Sequence, residues 1–104
     1  MGYYKQLPER QHAVMETWKN DYSEFEDYYI YTFYGIAMRA LKIKKPSETQ
    51  VKRVRKTVRL LARKEYLKIG QRWEEYSGTF CGSGYMPTLK GVEYIKEHVE
   101  EDAK

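Results

Sequence analysis

Apolar residues recur along this chain at two spacings, and each change of spacing marks a new element. Leu7, Val14, Trp18 and Tyr22 follow helical spacing, with Gln11 on the same line and Met15 beside it. Pro8 suits a first helical position because its missing N–H would have no partner there, and Glu9 follows where the helix dipole favours an acid. The pattern predicts a first helix over 8–20, broken at Asn20-Asp21. Ser23-Glu24-Phe25-Glu26 has the S-x-x-E form of a capping box and opens a second element. The centre of that element, Tyr28 to Tyr34, is apolar or aromatic almost all round and has strand propensity. Two outcomes stay open: one buried helix over about 24–42, or a short strand near 29–33 followed by a helix over about 34–42, which Gly35 permits.

Lys44-Lys45-Pro46 ends this element, because proline disfavours helix at the residue before it. Ser47-Glu48-Thr49-Gln50 is a second capping box, directly before an apolar-periodic run. At about 100° per residue, Val51, Val54, Val58 and Leu61 fall on one face, whereas Lys52, Arg53, Lys56, Arg59, Arg63 and Thr49 fall on the opposite one. The helix is expected over 47–65. Leu60 lies on the polar side and needs something to pack against, so contact with a partner is expected to centre on the N-terminal half. From Tyr66 the spacing changes to alternation, through Leu67, Lys68 and Ile69, and predicts a strand. Gly and Ser cluster at 77–84, and Tyr85 and Met86 supply a return strand that Pro87 ends. The hairpin spans 66–87. Thr88 then caps a last helix, 88–101, with Leu89, Val92, Tyr94, Ile95 and Val99 as its apolar stripe. The fold class expected is mainly α with a small β-hairpin (α+β), in a single domain over 1–104.

Charge changes the picture more than composition does. Twelve of the nineteen basic residues fall between Lys42 and Arg72, against two acids, for a local charge of +10. The seven bases and thirteen acids elsewhere give −6, so a net +4 hides a strong segregation. A one-sign block repels itself and usually faces an anionic partner, of which nucleic acid is the first candidate. The bland alternative is a solvated helix face in a heat-adapted protein rich in Lys and Glu. Ten of the eleven tyrosines lie outside the basic block. Tyrosine combines apolar area with a hydroxyl and suits half-buried surfaces and subunit interfaces.

Three stretches together resemble the winged helix-turn-helix family of DNA-binding proteins. Gly35 to Ile43 resembles its second helix. Ser47 to Leu67 resembles the recognition helix running into the first wing strand. Met86-Pro87-Thr88-Leu89-Lys90-Gly91 resembles the ending in which a wing strand meets a capped helix. The likeness covers about 34–97, and the stretch from Ala37 to Val51 is about four residues longer than the tight form of the turn. The resemblance implies a winged helix-turn-helix with an extra N-terminal helix, and a transcriptional regulator that inserts helix 47–65 in the major groove of double-stranded DNA. Base contacts would come from Thr49, Gln50, Lys52 and Arg53, although the capping box competes for Gln50. Phosphate contacts would come from Lys44, Lys45, Ser47, Lys56, Arg59 and Arg63. The wing would offer Lys68, Arg72, Thr79 and Ser83, contributing less than the helix because Glu74 and Glu75 repel phosphate. A homodimer is expected, with Trp18, Tyr28, Tyr29 and Tyr31 at its interface and two half-sites one helical turn apart. Competing readings are a nucleic-acid coat with little sequence preference, DNA- or RNA-bound, and a winged-helix module that docks on an acidic protein.

Other chemistry is not indicated. His12 and His98 are far apart in sequence and are expected on the surface; no Cys/His/carboxylate spacing suggests a metal site, and no cofactor or small-molecule ligand is implied. Cys81 lacks basic neighbours in its loop, no carboxylate pair is placed for acid–base work, and no enzyme is expected. No apolar run reaches membrane length, MGYYKQLPER has no apolar leader segment, and one cysteine makes no internal disulfide. A cytoplasmic location is expected, nucleoid-associated when bound.

Overall fold

The computed structural model describes residues 5–19, 29–73 and 80–99. Helix α1 (Glu9–Met15) runs into a single 3₁₀ turn (Glu16–Trp18), so the first helix is shorter and tighter at its end than the spacing predicts, with Pro8 at its N-cap. Helices α2 (Phe33–Leu41) and α3 (Glu48–Arg63) follow, then strands β1 (Leu67–Trp73) and β2 (Phe80–Pro87), then helix α4 (Leu89–His98). The chain is thus mainly helical, with one two-stranded antiparallel sheet, an α+β arrangement. No helix among the described residues is long and apolar enough to cross a membrane.

The ambiguous aromatic stretch resolves to extended chain before helix. Tyr31 N–H donates to Tyr85 O at 3.0 Å, and Tyr85 N–H returns to Tyr31 O at 2.8 Å, so Tyr31 forms an isolated antiparallel bridge to β2. Thr32 is extended and its hydroxyl accepts from Gly35 N–H at 3.1 Å, which caps α2 at once. One continuous helix over 24–42 is therefore excluded through 29–32. The Ser23–Glu26 box lies outside the described residues. Lys42, in the left-handed region at φ 57°, ends α2.

The core lies between α1, α2 and α3, and continues under α4. Val14, Met15 and Trp18 meet Ile36 and Ala37 of α2, with Val54, Val58 and Leu61 from the predicted stripe of α3. Val51, the first residue of that stripe, is only half-buried at the margin. Leu67, Val92, Tyr94, Ile95 and Val99 close the far side. Two glycines are steric requirements. A Cβ on Gly84 would lie 2.6 Å from Tyr31 O, and one on Gly91 would lie 2.1 Å from Tyr66 O. The first brings β2 against the Tyr31 bridge. The second lets the first turn of α4 cross the chain just after α3. Thr88 joins the same crossing: its hydroxyl donates to Glu65 O and accepts from Gly91 N–H.

Both histidines, expected on the surface, are half-buried against one tyrosine. Tyr94 is fully buried, and its hydroxyl accepts from Leu7 N–H at 3.0 Å and lies 2.7 Å from His12 Nδ1. The His98 ring packs 4.7 Å from the same tyrosine, centroid to centroid, and Tyr66 meets it edge-on at 5.6 Å. The bond from Leu7 to this buried hydroxyl thus joins residues 87 positions apart. Helical spacing within α1 and α4 separately could not show that these two helices meet there.

Candidate nucleic-acid interface

The basic face is built by the cap of α3. Ser47 Oγ accepts from Gln50 N–H at 3.2 Å, and Gln50 Oε1 accepts from Ser47 N–H at 2.8 Å, so both halves of the predicted capping box form. In this competition for Gln50, the structure shows the capped arrangement. The Gln50 side chain is folded back onto the cap, an arrangement that competes with the two-point contact with adenine expected of it.

The other expected contacts do sit on the surface. Lys44 and Lys45 are exposed in the turn before α3, as are Ser47, Thr49, Lys52, Arg53, Lys56, Arg59 and Arg63 along the helix. Among the described residues, the ion pair on this face is Lys52 Nζ to Glu48 Oε1 at 3.9 Å, with both side chains highly exposed. Such a pair contributes roughly 0–1 kcal/mol and screens little of the stripe. Two guanidinium groups lean to one side: Arg55 and Arg59 lie 5.8 and 5.9 Å from the centroid of Phe33, at the outer limit of a cation–π contact. Arg59 thus sits at the edge of the stripe, toward the start of α2. Leu60 is half-buried, as its position on the polar side required.

Part of the basic block is structural. Lys64 Nζ donates to Gln11 Oε1 at 2.8 Å and ties α3 to α1. Lys90, which carried no expectation, donates to Lys64 O at 2.8 Å and lies 4.4 Å from the centroid of Tyr66. On the hairpin, Lys68 and Ser83 are exposed, and Ser83 pairs with Gln71 in the sheet. Thr79 and the side chain of Arg72 lie outside the described residues.

The expected dimer surface needs correction. Trp18 has 0% relative exposure, and its Nε1–H donates to Tyr29 O at 2.6 Å. It belongs to the chain's own core and cannot face a second copy. Tyr31 is half-buried between Trp18, 5.9 Å away, and the Arg39 guanidinium 4.7 Å over its ring. Tyr29 remains 61% exposed, whereas Tyr28 lies outside the described residues.

Sequence spacing missed a groove of about 430 Å³ beside the basic stripe. Its floor is Ala13 and Val14 of α1, Ala40 of α2 and Val54 of α3, with Arg10 and Arg53 at its mouth. The signal was present in two alanines on facing helices, but only their packing shows that they leave a space. The chain matches no family model, no curated protein and no solved structure.

Proposed function

We propose that this chain is a winged-helix protein that binds double-stranded DNA and regulates transcription, with α3 entering the major groove from its capped end. The observation that carries this is the solvent-exposed, predominantly basic face of α3 and the turn before it, from Lys44 to Arg63, with Glu48 as its one acid. A helix of this width fits the major groove, and its free N–H groups and positive dipole end favour a nearby phosphate. The element order, with the Tyr31 bridge beside a hairpin that follows α3, supports the winged-helix assignment. Thr49, Lys52 and Arg53 reach base edges, Arg53 pairing with guanine. Lys44, Lys45, Ser47, Lys56, Arg59 and Arg63 contact phosphates and fix position without reading sequence. The protein works as a homodimer, with Tyr29 rather than Trp18 available to a second copy.

One observation favours a second reading. With Gln50 held in the cap, the helix offers fewer groups able to read bases, as a coat acting only through phosphates would. Arg53→Ala separates the two. The regulator loses preference for its site, whereas the coat binds slightly more weakly to every sequence.

The primary test is fluorescence anisotropy on random-sequence duplex DNA across a salt series. Wild type should bind with a steep salt dependence, and Lys52/Arg53/Lys56→Ala should flatten the slope by about one to three units, about one for each phosphate that the removed cations neutralise. Absence of binding at low salt removes the DNA reading and leaves a face that docks on protein or is merely solvated.

A further inference from the structure

The groove beside α3 has a chemistry of its own. Its floor is apolar, from Ala13, Val14, Ala40 and Val54, and Leu41 stands 41% exposed at its lip. Its mouth is rich in donors. Arg10 and Arg53 flank it from α1 and α3, against the single carboxylate of Glu9. Gln50 lines it too; its oxygen accepts from Ser47 N–H in the cap, and its NH₂ adds a further donor. The acid in the first turn of α3, Glu48, sits beside Lys52 on the solvent face. About 430 Å³ is within the range of small-molecule sites, roughly 300–1,000 Å³.

An apolar floor, a donor-rich mouth and a positive balance select one class of occupant. We infer that the groove binds a small organic anion with an apolar body, its ring or alkyl part on the alanine floor and its carboxylate, sulfonate or phosphate held by Arg10 and Arg53. The anion engages Arg53 from the side of α1. An occupied groove therefore takes from DNA the one guanidinium best placed to read a base, and ligand and DNA compete. The regulatory half of this inference rests on the proposed DNA-binding function; the binding half does not.

The first experiment uses the full chain without DNA and anilinonaphthalene sulfonate as the probe, with neutral N-phenylnaphthylamine as its uncharged counterpart. The sulfonate should bind saturably at one site per chain, at least about tenfold more tightly than the neutral amine, because charge-assisted hydrogen bonds to two guanidinium groups are lost with the charge. Arg10/Arg53→Ala should weaken the sulfonate by a similar factor while leaving the neutral amine unchanged. Ala13→Phe fills the floor and should abolish both, with helical circular dichroism and the thermal midpoint retained. Sulfonate binding that ignores the arginine pair overturns the proposal, and so does binding that survives a folded Ala13→Phe. If Ala13→Phe instead fails to fold, the arginine pair, which lies on the surface, decides alone. A change in sedimentation with Ala13→Phe assigns the groove to a second copy of the chain and also overturns it. Added duplex DNA should displace the bound sulfonate. Displacement absent while both ligands bind sinks only the competition, whereas sulfonate binding with no DNA binding sinks only the DNA reading.

Discussion

The solvent face of α3 and the cluster around Tyr94 treat polarity in opposite ways. On α3, charge is left facing water, with one weak ion pair at 3.9 Å. Around Tyr94, a buried hydroxyl has a partner on each side, from Leu7 and His12, and is walled by aromatic rings. The buried hydroxyl must be satisfied because an unpaired polar group costs free energy away from water. The exposed charges carry no such demand, and their repulsion adds nothing to the fold. The difference separates the part of the molecule that holds it together from the part available to a partner.

The sharpest way to test this separation is to disturb the crossing beneath Tyr94. Gly91→Ala would force a Cβ to within 2.1 Å of Tyr66 O, a backbone atom that cannot swing away. Chemical denaturation should show a loss of about 3 kcal/mol or more, at the upper end of overpacking costs. Tyr94→Phe comes next. It keeps the ring and strands the Leu7 N–H and His12 Nδ1, and the same measurement should show about 1–3 kcal/mol lost.

The cluster should also show in alkaline pH. Burial raises the Tyr94 pKa above its ordinary value of 10.0, helped by nearby Tyr66 and Glu16 and opposed by the Leu7 N–H bond. Tyr66 is raised too, first by burial and then by Glu97. The folded chain holds these phenol protons longer than the unfolded chain does. This contribution is therefore full below about pH 10 and is lost as pH rises through the folded-state values. Thermal midpoints should fall above pH 10, and less steeply in Tyr94→Phe.

Smaller effects are expected on α3. Ser47→Ala removes the hydroxyl that accepts from Gln50 N–H and should cost about 1 kcal/mol. Lys52/Arg53/Lys56→Ala should change stability by less than about 0.5 kcal/mol, as surface substitutions usually do. A large loss in the triple variant would break the comparison, because the basic face would then be part of the fold's own support.

Local pattern carried much of this architecture. The S-x-x-Q box marked where α3 begins, and Val54, Val58 and Leu61 marked its buried side, because capping and helical period act within a few residues. The hairpin and the Thr88 cap were legible for the same reason. The aromatic stretch at 28–34 was not, since its residues suit helix or strand equally. Only pairing with Tyr85, 54 positions away, made Tyr31 extended.

Charge segregation, caps and apolar periods are thus properties that the sequence alone determines, because each depends on neighbours one or two turns apart. Tertiary structure decided the rest. It buried Trp18, which the sequence offered to a partner, and brought His12 and His98 to one tyrosine. It closed Gln50 onto the cap, a choice the sequence had left even. It also set Ala13 opposite Ala40 and Val54, opening a groove beside Arg53. Contacts between distant segments depend on how whole helices cross, and no local spacing records that.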